Sequence, residues 1–314
     1  MAHSNGAILV TGGAGFIGTH LCRGLRASGF NVRVFDLKKP SHLVEGVEYL
    51  TGDVRDRSAL EKVMGGVDSV FHLAADVGVE LCEKQPEQTY ATNVQGTLNV
   101  LHVLHQIKIR ENRDVKLIFS GSAVVYGKLG ESGKPLTENL NLAVPISFYG
   151  AQKLTAEHAI QLYSKKIGIP AVCFRFFNVY GPGQDPKSPY SGVISIFIDR
   201  ALQGLTLDIH GEGNQTRDFV SVNDIVEACI KAVRLPAKGC DGVPINLGTG
   251  SKTTVLEVAE IIRRNSGNAA SIRHLGSRAG DILHSLASIQ RANEILFWKP
   301  KVTLETGLSE LLRL

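Results

Sequence analysis

Short apolar runs alternate with longer amphipathic stretches through the first half of the chain. Ala7–Val10, Val32–Phe35, Val47–Leu50, Ser69–Leu73, Val115–Ser120 and Ala171–Arg175 read as strands buried on both faces. Stretches near 16–28, 57–64, 87–110 and 149–167 carry helical periodicity between them. Strand–helix–strand repetition predicts an α/β fold, a doubly wound parallel sheet with helices on both faces. Such sheets bind ligands at the carboxyl ends of their strands. Past Arg175 the rhythm changes. Asn178-Val179-Tyr180-Gly181-Pro182-Gly183 ends the alternation, and the segment to about Gly213 is rich in Pro, Gly and Ser around one predicted helix, Ser191–Gln203. A helix near Ser221–Val233 and a strand at Pro244–Leu247 are expected to return to the first layer. The expected division is therefore a first domain at 1–178 with returning segments near 220–248, and a smaller mixed α/β lobe at 179–314.

Composition narrows the function classes. The chain has 314 residues, 43% hydrophobic and 20% charged, with a net charge of +4. That is the balance of a soluble globular protein. Lys and Arg are scattered, so neither nucleic acid nor a membrane surface is an expected partner. No apolar run approaches a membrane span, and Ala7-Ile8-Leu9-Val10 is too short for the apolar core of a signal peptide. Five dispersed cysteines without CxxC spacing read as reduced thiols, which points to a cytoplasmic protein. His102 and His105 share a helix face but have no third partner at a zinc-like spacing, so no metal is expected.

Thr11-Gly12-Gly13-Ala14-Gly15-Phe16-Ile17-Gly18 follows the first strand and opens a helix. Glycines there permit a tight turn and close approach of backbone N–H groups to a pyrophosphate, which the positive end of the helix also attracts. Asp36 ends the second strand, where a carboxylate accepts from a ribose and repels a 2′-phosphate. The pair points to a dinucleotide, NAD before NADP, with Lys38 and Lys39 close enough to keep the second in view.

Further along, Tyr149 and Lys153 stand four residues apart on one helix face, and Ser122 follows a strand in Phe119-Ser120-Gly121-Ser122-Ala123-Val124. An ammonium beside a phenol is expected to lower its pKa, so that the phenolate acts as a base near neutral pH. Ser122 can bond the reacting oxygen, and Lys153 can reach the nicotinamide ribose. Together with the glycine loop these residues predict a substrate hydroxyl that loses its proton while its carbon loses hydride. His72 in His72-Leu73-Ala74-Ala75 reads as a core histidine bonded to backbone.

These motifs resemble, in order and over essentially the whole chain, the extended short-chain dehydrogenase/reductase family in its nucleotide-sugar epimerase/dehydratase branch. The matching segments are Gly12-x-x-Gly15-x-x-Gly18, Gly52-Asp53-Val54, His72-Leu73-Ala74-Ala75, Asn93, Ser122, Tyr149-x-x-x-Lys153 and Arg175-Phe176-Phe177-Asn178-Val179-Tyr180-Gly181-Pro182. The resemblance implies a Rossmann-type domain holding NAD. Its contacts would come from Gly12, Gly15, Phe16, Ile17, Gly18, Asp36, Asp53, Val54, Leu73, Ala74, Ala75, Asn93, Ser120, Tyr149, Lys153 and Phe176. Asp53 and Val54 would meet adenine, and Asn93 would hold the strand ends.

Dehydratases and decarboxylases of this branch carry an acid after the serine or threonine, whereas Ser122 is followed by Ala123 and Val124. The departure leaves an epimerase or a ketoreductase. The C-terminal half is similar to UDP-hexose 4-epimerases at Gly213-Asn214-Gln215-Thr216-Arg217-Asp218-Phe219, Asn246-Leu247-Gly248-Thr249-Gly250 and Arg278-Ala279-Gly280-Asp281. By that likeness the substrate, a UDP-sugar, meets Asn178, Val193, Arg217, Phe219, Val255, Arg278, Asp281 and Ser285. Arg217 and Arg278 would bracket the diphosphate, since a guanidinium offers bidentate donors. Arg217 could equally pair with Asp218. Ser285 stands where a tyrosine in some relatives favours plain hexoses. A small residue there admits an N-acetyl group or has no selective role. Asp76, Glu80 and Cys82 lie in a loop that departs from the family pattern, and Cys82 reads as a buried small residue.

The stripes Tyr90, Val94, Leu98, Leu101 and Val100, Val103, Ile107 make one helix apolar on two faces, so one face is expected to meet a second subunit in a homodimer. Three functions remain from sequence: a nucleotide-sugar 4-epimerase, a ketoreductase that releases NAD(P), and a nucleotide-binding protein without catalysis.

Overall fold

The computed structural model describes residues 6–40, 42–139, 144–188, 192–267, 270–277 and 282–313. Its strands are β1 Ala7–Thr11, β2 Val32–Asp36, β3 Val47–Thr51, β4 Val67–His72, β5 Lys116–Ser122, β6 Ala171–Phe176, β7 Asn178–Tyr180, β8 Leu207–His210, β9 Thr216–Arg217, β10 Phe219–Ser221, β11 Asp241–Leu247, β12 Thr253–Thr254 and β13 Ile272–Leu275. Seven of them form one sheet in the order β11-β6-β5-β4-β1-β2-β3. β1 pairs in parallel with β2 and β4, β2 with β3, and β4 with β5. The chain thus winds outward from β1 on one side, then from β4 on the other, and the switch point lies between those two carboxyl ends. This is the expected α/β Rossmann-type architecture.

The chain divides into two compact units, one of residues 1–125, 145–175 and 226–245, the other of 126–144, 176–225 and 246–314. In the first, Leu9, Val70, Leu117 and Phe119 from the strands pack against Leu60, Val100, Leu104 and Ile160 from helices. All of β6 is buried; its one charged residue, Arg175, pairs with the buried Glu157 at 2.6 Å. Lys116 is one of the buried charged residues of this unit. Its ammonium donates to Ala232 O at 3.1 Å, Val233 O at 2.8 Å and Leu235 O, the carbonyls that end helix Val222–Arg234. A cation there meets both the orphan carbonyls and the negative end of the helix dipole.

The helix expected at 87–110 is three pieces: Pro86–Tyr90, a π turn at Ala91–Gln95, and Gly96–Glu111. Of the two stripes, Val100, Val103 and Ile107 are buried within the chain; in the other, Val94 and Leu101 are buried, Tyr90 stays exposed and Leu98 is half-buried.

The second unit is built from short pairings. β7 pairs with β10 and β8 with β13, both in parallel, while β9 pairs antiparallel with β12. Tyr180, Phe197, Leu207, Ile209, Val258 and Leu308 form its core. Helix Val255–Asn265 starts on a capping box, Thr254 and Glu257 each accepting from the other's backbone N–H.

Candidate active site

Sterics explain most of the glycine loop. Gly12 has φ +71°, and a Cβ there would lie 2.6 Å from Ala74 N. A Cβ on Gly18 would lie 2.4 Å from Gly12 O, and one on Gly13 2.6 Å from Val34. These three let the loop, the helix Phe16–Ala27 and the neighbouring strands close on one another. Gly15 differs. A Cβ there would meet only Gly12 O, at 3.4 Å, so the chain itself leaves room for a side chain. A bare backbone at the N-terminus of a helix, open on its outer side, is the surface a pyrophosphate fits. Asp36 sits at its flank, Oδ2 accepting from Ala14 N at 3.0 Å. Phe16 and Ile17 form the first turn of the helix. Asp53 is engaged by Arg55, whose guanidinium and backbone N–H hold its carboxyl below the usual range, and Val54 is buried.

Leu73, Ala74 and Ala75 leave β4 beside this loop, with Leu73 N donating to Thr11 O at 3.0 Å. Asn93, placed by the π turn, braces the same stretch. Its Oδ1 accepts from Asp76 N at 2.8 Å, and its Nδ2 donates to Asp76 O at 2.9 Å and Gln152 Oε1 at 2.7 Å. Gln152 lies next to Lys153, so Asn93 links the end of β4 to the helix that carries the tyrosine. Cys82 is buried here, with its thiol 3.6 Å from Gln152 Oε1. His72 is a core histidine, although its partners are hydroxyls rather than backbone: Thr11 at 2.7 Å and Thr97 at 3.1 Å. Burial lowers its pKa to about 3, with the Lys153 charge pushing the same way.

Ser147 caps helix Phe148–Ile167 by accepting from Gly150 N, which sets Tyr149 in the first turn and Lys153 one turn on. The Ser122 hydroxyl stands near enough to the Tyr149 phenol to favour its ionised form. Lys153 donates to Ser120 O at 2.9 Å and lies 5.9 Å from the Tyr149 ring centroid. Ser120 in turn donates to His72 O at 3.0 Å. The structure therefore brings Ser120, Ser122, Tyr149 and Lys153 together. It differs from the sequence expectation in the electrostatics. Burial pushes the Tyr149 phenol up, Cys82 adds to that, and the opposing contact is Ser122, not Lys153. The ammonium is itself desolvated, which lowers Lys153 to about 8.

In the second unit, Asn178, Val193, Arg217, Phe219 and Val255 line one cavity of about 440 Å³. Phe176 is buried at the end of β6. Arg217 does not pair with Asp218, whose carboxylate is fully occupied by Thr249, Gly250 and Ala287. Ser285 is half-buried, donating from its backbone to Thr216 O at 3.1 Å, and is not among the residues lining the cavity. Arg278 and Asp281 lie outside the described residues. Sequence reasoning missed Arg200, Asp208, His210 and Gln215 in the cavity wall. The apolar–polar alternation of Leu207-Asp208-Ile209-His210 was the available signal. Among the described residues no cluster of His, Cys, Asp or Glu is placed to hold a metal, and no helix is long and apolar enough to cross a membrane.

A profile of the NAD dependent epimerase/dehydratase family matches residues 8–248. The chain belongs to that family. The UDP-glucose 4-epimerase of Rhizobium leguminosarum bv. trifolii is 33% identical over 98% of this chain and 95% of its own length. A UDP-N-acetyl-alpha-D-glucosaminuronate decarboxylase of Bacillus cytotoxicus is 31% identical over 97% of this chain and 96% of its own. The crystal structure of a Thermus thermophilus UDP-glucose 4-epimerase in complex with NAD superposes with a TM-score of 0.87 at 31% identity, covering 98% of this chain and 99% of that one. The family member described here is accordingly an NAD-dependent enzyme of nucleotide-sugar chemistry.

Proposed function

We propose that the chain is a 4-epimerase of UDP-hexoses, interconverting UDP-glucose with UDP-galactose and also taking the 2-acetamido pair, UDP-GlcNAc and UDP-GalNAc. The observation that carries this reading is the grouping of Tyr149 with Lys153 and Ser122, with Ala123 and Val124 following Ser122 where a decarboxylase or dehydratase needs an acid. Bound NAD supplies the hydride acceptor and donor that interconverts a C4 hydroxyl and a ketone. Gly12, Gly15, Gly18 and Asp36 would hold it. Tyr149 takes the C4 hydroxyl proton and later returns it to the same oxygen. Ser122 donates to that oxygen, and Lys153 orients the pair while anchored on Ser120. Burial raises the phenol's pKa and so favours its protonated form, while Ser122 opposes that rise and favours the ionised form that takes the proton. Arg217 grips the diphosphate, so that the sugar turns and the nucleotide does not. The small Ser285, which stands outside the cavity wall, offers no bulk against an acetamido group. The five free, buried cysteines fit a reducing compartment such as the cytoplasm, and the chain would act as a homodimer through the helices around 90–110 and 148–167.

Proton NMR of the purified protein with UDP-glucose and, separately, UDP-GlcNAc, without added cofactor, tests the reading. Appearance of the galacto epimer supports it, and the two rates report on Ser285. Conversion of neither sugar by protein that carries NAD sinks it, and consumption of added NADH by a keto sugar would turn the reading to a reductase.

A further inference from the structure

Four segments of the second unit meet at one buried residue. Asp218 lies between Arg217 and Phe219, and extended backbone sends alternate side chains to opposite faces. Arg217 and Phe219 line the cavity; Asp218 turns away from it and is fully buried. Its Oδ1 accepts from Thr249 N and Thr249 Oγ1, each at 2.7 Å. Its Oδ2 accepts from Gly250 N at 2.9 Å and Ala287 N at 3.1 Å. Its backbone O accepts from Asn178 N at 3.0 Å and Asn178 Nδ2 at 3.2 Å. One residue therefore ties the Arg217 strand to β7, to the loop around Thr249 and to the segment that carries Ser285. The loop is packed hard against the carboxylate: a Cβ on Gly248 would stand 2.8 Å from Asp218 Oδ2 and 2.7 Å from Ala287 Cβ. The neighbouring register is consistent, with Ser285 N donating to Thr216 O at 3.1 Å and Thr216 N to Leu283 O at 2.9 Å.

Four donors converging on two oxygens suit a carboxylate and nothing else of that size. An amide would turn its NH₂ toward two of them. We infer that Asp218 is a positioning residue for the nucleotide-sugar site, its carboxylate holding the Arg217 strand, the loop around Thr249 and the Ser285 segment in one arrangement without touching the substrate. The inference rests on the reading that Arg217 meets a diphosphate.

The test is calorimetric titration of the full-length protein with UDP, alongside kcat and KM for whichever UDP-hexose it converts. Asp218→Asn is expected to weaken UDP binding and raise KM by roughly tenfold or more, since buried hydrogen bonds to a charged group are lost. It should leave kcat and bound NAD within about twofold, because Tyr149, Ser122 and Lys153 belong to the other unit. Thr249→Val removes one donor and should weaken UDP binding by a few-fold, while Thr249→Ser, which keeps the hydroxyl, restores it. That pair decides the matter if D218N does not fold. UDP affinity unchanged in T249V overturns the inference, as does loss of kcat at unchanged affinity in either variant. Wild-type protein that binds no UDP removes the diphosphate reading itself, before any variant is made.

Discussion

The two units hold their chemistry by different means. In the first, one helical turn sets Tyr149 against Lys153, and a strand end supplies Ser120 and Ser122, so the group is fixed by local spacing on long elements. In the second, Arg217 and Phe219 stand on strands of two and three residues, and a hydrogen-bonded carboxylate supplies the rigidity that length supplies elsewhere. Long elements carry their own register; short ones borrow it from side chains far away in sequence. Reaction chemistry and ligand grip should therefore fail separately when the chain is altered.

The largest effect expected is from Tyr149→Phe, which removes the proton carrier and should lower turnover about a thousandfold. UDP affinity should stay put; a parallel loss of affinity, read by calorimetry, would break the separation. Acid comes next. His72 has a folded pKa of about 3 against an ordinary value near 6.5, so below the latter the unfolded chain takes up a proton that the folded chain refuses. Stability of the first unit is complete above about pH 6.5 and falls as pH drops toward 3, by on the order of 3 kcal/mol at pH 4. Urea melts at several pH values measure it, and a His72→Gln variant should flatten the slope; an equal slope in the variant would refute the assignment. Lys116→Met strips the charged cap from helix Val222–Arg234 and should cost about 1–2 kcal/mol in thermal unfolding, with UDP affinity unaltered. The smallest effect has the opposite sign. Phe297 ends helix Gln290–Leu296 at φ +48° and is 83% exposed, so its ring contributes little burial against a left-handed backbone. Phe297→Gly should raise the stability of the second unit by about 1 kcal/mol, and a lower melting temperature would show that the ring holds something the strain argument neglects.

Legibility followed the same division. The strands, the glycine loop and the Tyr149–Lys153 spacing depend on neighbours within a turn or two, and the sequence displays them. His72, Lys116 and Asp218 do not: each is defined by partners dozens of positions away, such as Thr97, Ala232 and Ala287. Arg217 beside Asp218 reads as an ion pair on paper, and only the extended backbone puts the two on opposite sides. The phenol's electrostatics escape the sequence for a related reason. Spacing brings Lys153 near Tyr149, but burial, which spacing does not reveal, sets both pKa values.

The π turn at Ala91–Gln95 gives the first unit an unusual sensitivity to chain length. Such a turn amounts to one surplus residue in an otherwise regular helix. Removing it would let Pro86–Glu111 wind as a continuous α-helix, turning everything before the deletion by about 100° relative to the residues after it. The core residues after Gly96 would keep their places, while Asn93 would swing away from Asp76 and Gln152. A single-codon deletion, altering no catalytic residue, would thus unfasten the end of β4 from the tyrosine helix.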